Sequence, residues 1–431
     1  MASSEPLKFC IVTTFYPPYN FGGDGIYAHR LANGLASLGH HVTVLHSPTA
    51  YQMVNGGPPP QPYRDHPNVV VRPIRTPLRR FGLLAVQQFG SPCFQRAALK
   101  RWLDRGDFDV IHFNNVSLLG GPHVFRYGKA LKLCTLIEHW LVCPMHVLWK
   151  MDREVCTKPS CLRCTLHGRR PPQLWRYTGL MRRATRSIDA FIGPSLFTMQ
   201  MHRERGLHGT MVQLPLFHPE PTHVPQPKQA RPYFLFVGRL EKIKGVQDIL
   251  PLFKTLPKID LIIAGDGTYA AELRRDAAGA TNVHFLGSVN HARLQSLYRG
   301  AVATIVPSLC CETFGVVVAE SFSTSTPVIV RAQSSLKEIV DTHGGGLTYT
   351  NDEELRCAVS TLIDNRALRD DLGRNGRVAY DSEFAEAPFL RHYEAVVRDL
   401  LQSQRNHGPT VQLTGDPPRL ADRPVLLAHE S

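Results

Sequence analysis

Short apolar runs recur along the chain and are separated by longer stretches in which apolar positions recur with helical spacing. Runs of this kind, bounded by turn residues, are typical of strands buried on both faces of a parallel sheet. The predicted strands of the first half are residues 9–13, 41–45, 69–71, 110–113, 133–137 and 190–193. Those of the second half are residues 233–237, 261–264, 283–286, 303–306 and 327–330. Their alternation with helical segments predicts an α/β protein with two doubly wound, Rossmann-like sheets.

A proline-rich segment separates the two sets of strands. Proline resists both helix and sheet pairing, so we interpret residues 216–231 as a linker between domains at 1–215 and 232–385. Apolar residues at helical spacing predict a C-terminal helix over 386–403. Residues 404–431 lose this spacing and are rich in Gly and Pro, which predicts a disordered tail.

Composition narrows the class of protein. A chain of 431 residues with 43% hydrophobic and 20% charged residues is expected to fold as a multidomain protein. The N-terminus does not resemble a signal peptide, and no apolar run approaches the roughly 20 residues that span a bilayer, so we expect a cytoplasmic protein. The net charge of +13 favours anionic partners such as nucleotide diphosphates, polyanionic glycans, nucleic acid or a membrane surface. A basic surface without a specific ligand is the alternative.

Two motifs in the second half suggest a nucleotide-sugar site. In the first, Gly238 and Arg239 follow a predicted strand, and Lys244 comes five residues after Arg239. The carboxyl end of a parallel strand is where open α/β sheets bind ligands, and both cations suit a diphosphate. Surface turns often carry basic residues, so the complete spacing is more specific than any one residue.

The second motif spans Glu312 to Glu320 and contains Phe314 and Gly315. A helix is predicted to open after Gly315, and its first N–H groups would face a phosphate. Glu312 then lies before the helix and Glu320 more than a turn inside it. One carboxylate is suited to the sugar and the other to the ribose hydroxyls, although both could be ordinary surface acids.

Together these motifs resemble those of the retaining family-4 glycosyltransferases, which have the two-domain GT-B fold. The resemblance covers nearly the whole chain. It includes both motifs above and further segments at Gly22–Gly23, Asp109–His112, Leu261–Gly267, Leu286–Gly287 and Leu297–Tyr298.

The resemblance implies that Arg239 and Lys244 hold the donor diphosphate, that Glu312 contacts the transferred sugar and that Glu320 binds the ribose. It also implies a central cleft between the domains, retention of anomeric configuration and catalysis without a metal ion. In that fold a C-terminal helix crosses back onto the first domain. An amphipathic cap on the second domain is the alternative for this helix.

The first domain supplies further candidates. Gly22 and Gly23 follow the first predicted strand and permit close approach of a sugar or phosphate, as a simple tight turn also would. The family usually has a sugar-facing histidine after the fourth or fifth strand. Here the pattern departs, and we expect Glu138 or His139 to take this role, with His112 as a competitor; loss of the role is the alternative.

Four cysteines, Cys143, Cys156, Cys161 and Cys164, fall within the insertion 143–164. Four thiolates suit a structural zinc ion or an iron–sulfur cluster, and a similar insertion occurs in a subset of the resembling transferases. Unligated thiols or a redox-active pair are the alternatives.

Basic and aromatic residues alternate around this insertion and in an earlier segment. They indicate peripheral contact with an anionic membrane or an inert basic surface. The residues concerned are Arg72, Arg75, Arg79, Arg80, Phe81, Arg163, Arg169, Arg170, Trp175, Arg176, Tyr177, Arg182 and Arg183.

We therefore predict a glycosyltransferase that moves a sugar from a nucleotide-diphosphate-sugar to a glycan, lipid-linked or other hydroxyl acceptor. The alternatives are a GT-B phosphorylase or epimerase, and a non-catalytic protein that binds polyanionic glycan or nucleic acid. No nucleic-acid-binding motif is present in the sequence, which argues against nucleic acid as a partner.

Overall fold

The computed structural model describes residues 5–20, 22–55, 63–221 and 231–407. Its strands are β1 Lys8–Val12, β2 His41–His46, β3 Val69–Pro73, β4 Val110–Phe113, β5 Leu131–Thr135, β6 Trp149–Lys150, β7 Glu154–Val155, β8 Ala190–Gly193, β9 Met211–Gln213, β10 Tyr233–Val237, β11 Asp260–Ala264, β12 Val283–Gly287, β13 Ala303–Val306, β14 Val328–Arg331 and β15 Gly346–Tyr349.

Helices follow most of these strands. They are α1 Gly23–Ser37, α2 Pro48–Asn55, α3 Arg79–Phe89, α4 Arg96–Arg105, α5 Cys161–His167, α6 Leu180–Thr185, α7 Leu196–Glu204, α8 Val246–Lys254, α9 Ala270–Asp276, α10 His291–Gly300, α11 Val316–Ser323, α12 Ser334–His343, α13 Asp352–Asp364, α14 Arg366–Ala379 and α15 Glu386–His407. Among the described residues, none of these helices combines the length and apolar character needed to cross a bilayer.

The strands form two parallel sheets, one in each half of the chain. The first has the order β3-β2-β1-β4-β5-β8-β9 and the second the order β12-β11-β10-β13-β14-β15. In the first sheet Ile11 of β1 lies opposite Val44 of β2 and His112 of β4. The central strands are buried on both faces, which explains their continuous apolar runs. The predicted α/β fold with two Rossmann-like sheets is confirmed.

Sequence periodicity missed the edge strands β9 and β15 and the antiparallel hairpin β6-β7. β9 has three residues, of which only Met211 is buried, and β15 has four, of which only Tyr349 is buried. Edge strands with so little buried surface have no distinctive apolar run. The hairpin strands have two residues each, too few for any periodic pattern.

The C-terminal helix α15 packs against the first domain. The hydroxyl of Tyr393 lies 2.6 Å from Nδ1 of His112 on β4, and both residues are fully buried. Gly34 of α1 is so close to Leu390 that a Cβ atom there would lie 2.8 Å from its Cδ1. This explains the burial of His112, which is a structural residue beneath α15 in this arrangement.

Two predicted boundaries differ from the structure. The C-terminal helix was expected to end at residue 403 but continues to His407, and residues 408–431 of the predicted tail lie outside the described residues. Leu216, Phe217 and His218, at the start of the predicted linker, are buried rather than exposed. Residues 222–230 of that linker also lie outside the described residues.

Candidate functional site

The first motif continues from the carboxyl end of β10. Gly238 and Arg239 follow directly after the strand, at the edge where parallel sheets bind ligands. The side chain of Arg239 is 54% exposed, and its Nη1 lies 2.7 Å from Oε1 of Glu241. Because an exposed ion pair of this kind contributes little free energy, the guanidinium is free to bind an anion.

The second motif follows β13, which lies beside β10. The loops after these strands are joined by a hydrogen bond from the N–H of Leu309 to the carbonyl oxygen of Ile243, at 2.8 Å. Gly245 has φ +75°, and a Cβ atom there would lie 2.0 Å from the carbonyl oxygen of Pro307. Glycine is therefore required at 245 for the two motifs to meet.

Lys244 and Glu312 form an ion pair between these loops. Their Nζ and Oε1 atoms are 2.6 Å apart, and Ser308 donates a hydrogen bond to the same oxygen at 2.7 Å. Burial opposes the charge on each group, but the attraction between them outweighs it. The pKa of Lys244 is consequently raised and the pKa of Glu312 is lowered. Both groups are charged at neutral pH, so the site places a cation and a carboxylate side by side.

Phe314 and Gly315 form the turn into α11. Gly315 is the N-cap residue, with φ +90°. Phe314 is 1% exposed and packs edge-on against Phe384, with ring centroids 5.3 Å apart. Phe314 therefore anchors the turn from the core, and its side chain is not available to a ligand. The backbone N–H groups that open α11 are suited to an anion.

Glu320 lies further along α11, away from the Lys244–Glu312 pair. Its Oε2 accepts a hydrogen bond from the hydroxyl of Tyr298 at 2.7 Å, and its Oε1 lies 3.6 Å from Nδ1 of His218. Burial raises the pKa of Glu320, while the Tyr298 hydrogen bond and the positive charge of Arg30 act against this rise. The hydroxyl of Tyr298 thus fixes the carboxylate from within the second domain, and His218, from the segment between the two domains, lies beside it.

The glycine-rich turn after β1 leads into α1. Gly22 precedes the helix with extended backbone, and Gly23 begins it. Asp24 is a residue that sequence reasoning did not select. Its Oδ2 accepts a hydrogen bond from Asn115 at 2.9 Å. Burial, together with the charge of Glu138, raises the pKa of Asp24 to about 6. A carboxyl group that titrates near neutral pH at a sheet edge is a candidate functional group.

Glu138 follows β5 at the same edge of the first sheet. Its Oε2 lies 2.8 Å from Nδ1 of His146. Glu138 lines a small cavity together with Asn114 and Trp140. Oε1 of Glu138, Oδ1 of Asn114 and Nε1 of Trp140 are all buried without a hydrogen-bond partner in the described part of the chain. Three such atoms around one cavity could together bind a polar group.

His139 lies between the two domains. Its side chain is 1% exposed, its Nε2 lies 3.0 Å from the carbonyl oxygen of Cys311, and its ring stacks on His202 of α7. Burial lowers the pKa of His139 to about 3, so the ring is neutral at pH 7. Of the two first-domain candidates, Glu138 therefore lines an open cavity, whereas His139 contacts the main chain next to Glu312.

Further hydrogen bonds hold the Glu312 loop against the first domain. The carbonyl oxygen of Thr313 accepts hydrogen bonds from Ser195 at 2.8 Å and from Thr198 at 2.9 Å. The hydroxyl of Thr313 donates to the carbonyl oxygen of Ile137 at 3.0 Å. The donor-site loop of one domain is thus positioned by side chains and main chain of the other.

The four cysteines of the insertion line one small cavity, together with Met145, Ser160 and neighbouring residues. All four thiols are free. Burial raises the pKa of Cys156 and Cys161, and the other thiols of the cluster add to this effect. However, no group of three or more His, Cys, Asp or Glu within the described ranges is arranged to hold a metal ion. A shared metal would therefore require the thiols to move towards one another.

Comparisons with known proteins agree with this architecture. Residues 21–217 match the family model "Glycosyltransferase Family 4", and residues 221–379 match "Glycosyl transferases group 1". Phosphatidyl-myo-inositol mannosyltransferase of Mycolicibacterium smegmatis is 26% identical over 406 residues, which cover 88% of this chain and 92% of that protein.

Solved structures share the fold at lower identity. Sucrose-phosphate synthase from Thermosynechococcus elongatus superposes with a TM-score of 0.68 at 19% identity, covering 92% of this chain and all of that one. Anabaena HepE in complex with UDP-glucose superposes with a TM-score of 0.66 at 14% identity, covering 91% of this chain and all of that one. The two matched models, the relatives and the paired sheets together identify the chain as a glycosyltransferase of the GT-B fold that resembles family 4.

Proposed function

We propose that this protein transfers a sugar from a nucleotide-diphosphate-sugar to a hydroxyl acceptor with retention of anomeric configuration. The observation that carries the proposal is the Lys244–Glu312 pair beside Arg239, at the joined carboxyl ends of β10 and β13. This arrangement supplies two cations and one carboxylate at the ligand-binding edge of the second sheet.

In the proposed reaction the bond between the sugar carbon and the diphosphate oxygen breaks, the acceptor oxygen forms a new bond to that carbon on the same face, and the proton of the acceptor hydroxyl passes to the departing diphosphate. Negative charge develops on the departing diphosphate. Arg239, Lys244 and the opening N–H groups of α11 stabilise this charge, so the reaction does not require a metal ion. Binding of the diphosphate would draw Lys244 from Glu312 and release the carboxylate to orient sugar hydroxyls.

We assign ribose binding to Glu320, because the hydroxyl of Tyr298 holds its carboxylate beside His218, in the segment that joins the two domains. On the acceptor side we assign Glu138, which has an unpaired Oε1 and lines the polar cavity of the first domain. His139 is a positioning residue in this proposal, since it contacts the main chain of Cys311.

Two comparisons favour particular substrates. HepE was solved with UDP-glucose, which supports a nucleotide-diphosphate-sugar as the donor. The mycolicibacterial relative is named for transfer to phosphatidyl-myo-inositol, which supports a lipid-linked acceptor among the hydroxyl acceptors considered.

The test measures nucleotide release from UDP-, GDP-, ADP- and dTDP-sugars, with Arg239→Ala as the control. We expect release from one donor and a loss of about 100-fold or more in the variant, typical of removing a group that stabilises developing charge. Full activity in Arg239→Ala would reject the site. The anomeric configuration of the product, read by NMR, tests retention separately.

We further propose that Cys143, Cys156, Cys161 and Cys164 bind a structural zinc ion or an iron–sulfur cluster. The composition of the cavity lining supports this proposal, because four thiols suit either ligand. Neither group has a role in the proposed transfer step.

A further inference from the structure

Large apolar side chains are exposed on two segments of the first domain, residues 78–94 and 162–177. These segments hold nine of the fifteen large apolar side chains that are exposed in the described part of the chain. Phe81 is 76% exposed, and Phe89 and Tyr177 are each 66% exposed. Single exposed apolar residues are normal on soluble proteins, but a concentration of this size marks an interaction surface.

The two segments adjoin each other. Nε1 of Trp175 donates a hydrogen bond to the carbonyl oxygen of Gln87 at 2.7 Å. A Cβ atom on Gly90, just after α3, would lie 2.8 Å from the ring of Trp175. Trp175 is itself buried and connects α3 to the exposed residues Leu174 and Tyr177. We call the combined surface, residues 78–94 and 162–186, the arginine-rich apolar face.

Helix α3 is apolar on its inner and outer sides. Leu83 and Val86 are buried and attach the helix to the domain. Phe81 and Leu84, three residues apart, share the outward side and are 76% and 42% exposed. The inner pair packs against the domain, whereas the outer pair is exposed and available for contact outside the chain.

Charge on this face has one sign. Residues 66–103 contain seven Lys or Arg and no Asp or Glu, and residues 155–188 contain eight and none. All of these cations except Arg176 are exposed. Arg176 is half-buried, donating to the carbonyl oxygen of Trp140 at 2.7 Å and lying over the rings of Trp140 and Trp175.

Most of the exposed cations are not neutralised by the protein. Among the described residues, no carboxylate forms an ion pair with those nearest the apolar side chains, which are Arg75, Arg79, Arg80, Arg163, Arg169, Arg170, Arg182 and Arg183. Apolar side chains surrounded by unpaired arginines match an anionic lipid surface. The arginines can contact the charged headgroups while the apolar side chains contact the acyl chains.

We propose that the arginine-rich apolar face docks the protein on an anionic lipid bilayer. The outward residues of α3 enter the interface, and the arginines around them contact lipid headgroups. This property goes beyond the transfer reaction and does not depend on it, since binding to vesicles requires neither donor nor acceptor. Failure of one proposal therefore leaves the other intact.

The experiment is flotation of the full chain with vesicles of phosphatidylcholine alone or mixed with phosphatidylglycerol, at low and high salt. We expect binding only to the anionic vesicles, with weaker binding at high salt. The double variant Arg79→Glu/Arg80→Glu should lose about tenfold or more in binding, because each basic residue near an anionic membrane strengthens attachment. Phe81→Ser/Leu84→Ser should weaken binding several-fold and leave it more sensitive to salt.

Matched controls lie on the second domain. Lys254→Glu/Lys258→Glu makes the same change in net charge at exposed positions, and Val378→Ser removes an apolar side chain that is 66% exposed. Both should float like the unmodified protein. All variants should be checked for unchanged melting temperature, since these side chains make few internal contacts.

Three results would overturn the proposal. The first is no flotation of the unmodified protein with anionic vesicles. The second is an equal loss in the second-domain controls, which would indicate attraction by net charge alone. The third is a dimer in solution that Phe81→Ser/Leu84→Ser dissociates while flotation is unchanged, which would assign the face to a second copy of the chain.

Discussion

Nε2 of His139 lies 3.0 Å from the carbonyl oxygen of Cys311, and this contact joins the first domain to the residue before Glu312. Ser195 and Thr198 reinforce it by donating hydrogen bonds to the carbonyl oxygen of Thr313. The first domain thus fixes the main-chain carbonyl groups on both sides of Glu312, those of Cys311 and Thr313. The position of the Glu312 carboxylate, to which we assign the donor sugar, therefore depends on the way the two domains meet.

The first prediction tests this positioning. Thr198→Val removes the hydroxyl that reaches Thr313, and we expect kcat to fall about tenfold because a small displacement of a catalytic group is costly. Thr185→Val is a matched control, since Thr185 is also a buried helix residue but bonds only to Met181 and Arg182 within α6. Steady-state kinetics with the accepted donor provides the measurement. Equal losses of kcat in both variants would mean that only general stability was affected.

The second prediction concerns the Lys244–Glu312 pair. Lys244→Met should lower the free energy of unfolding more than Lys244→Met/Glu312→Gln does, because the single change leaves a buried carboxylate without its partner. The single variant should also lose about 100-fold or more in kcat/KM through weaker stabilisation of the leaving diphosphate. Urea denaturation and initial-rate kinetics check the two parts. A double variant less stable than the single one would contradict the pairing.

The third prediction concerns donor binding at Glu320. Tyr298→Phe removes the hydroxyl that donates to Oε2 of Glu320, and we expect the donor KM to rise about three- to tenfold with little change in kcat, the size expected for one hydrogen bond to a charged group. Tyr233→Phe is the control, because its equally buried hydroxyl donates to the carbonyl oxygen of Leu297 instead. A fall in kcat at unchanged KM would argue against ribose binding by Glu320.

The fourth prediction is a loss of stability in acid. Burial lowers the pKa of His112, His139 and His218 to about 3 and that of His46 and His202 to about 4. The unfolded chain therefore binds more protons than the folded chain below the ordinary histidine pKa of about 6.5, so stability decreases as pH falls from there towards 4. At pH 5.5 each of these histidines lowers the free energy of unfolding by about 1.4 kcal/mol relative to its value at high pH, by the same linkage.

Melting temperature measured from pH 7.5 to 5 checks this dependence. A His202→Gln variant, compared with the unmodified protein over the same range, should show a shallower decrease because one of the five imidazoles named above is absent. A melting temperature that stays constant between pH 7 and 5 would contradict burial of these residues in the neutral form.

The fifth prediction concerns the cysteine cluster. Protein purified without oxygen should contain about one zinc ion or one iron–sulfur cluster per chain, and Cys161→Ser should lose it. Cys357→Ser is the control, since Cys357 is exposed on α13 and remote from the cavity lining. Metal analysis and absorption spectra distinguish the two ligands. A metal-free protein with four titratable thiols at these positions would reject the proposal.

The sequence predicted the sheets well because buried parallel strands are continuous apolar runs, which need no knowledge of their neighbours. From the two motifs and the family resemblance it also selected Lys244 and Glu312, which the structure then pairs at 2.6 Å. It missed the short edge strands and the start of the linker, whose burial comes from packing against other segments. Asp24 was missed because its partner Asn115 is 91 positions away in the sequence. His146 was missed because its contact with Glu138 lies within a loop.

The amino-acid sequence by itself therefore determined the two-sheet architecture, which follows from local periodicity, and the positions of the candidate site residues, which follow from motif spacing. Only the tertiary structure decided the surroundings of His139, which pairs with a main-chain oxygen 172 positions away. It also decided which aromatic residues are exposed, separating Tyr177 from the buried Trp175 two positions before it. Burial and long-range hydrogen bonding depend on how distant segments pack, and that packing cannot be inferred from local sequence.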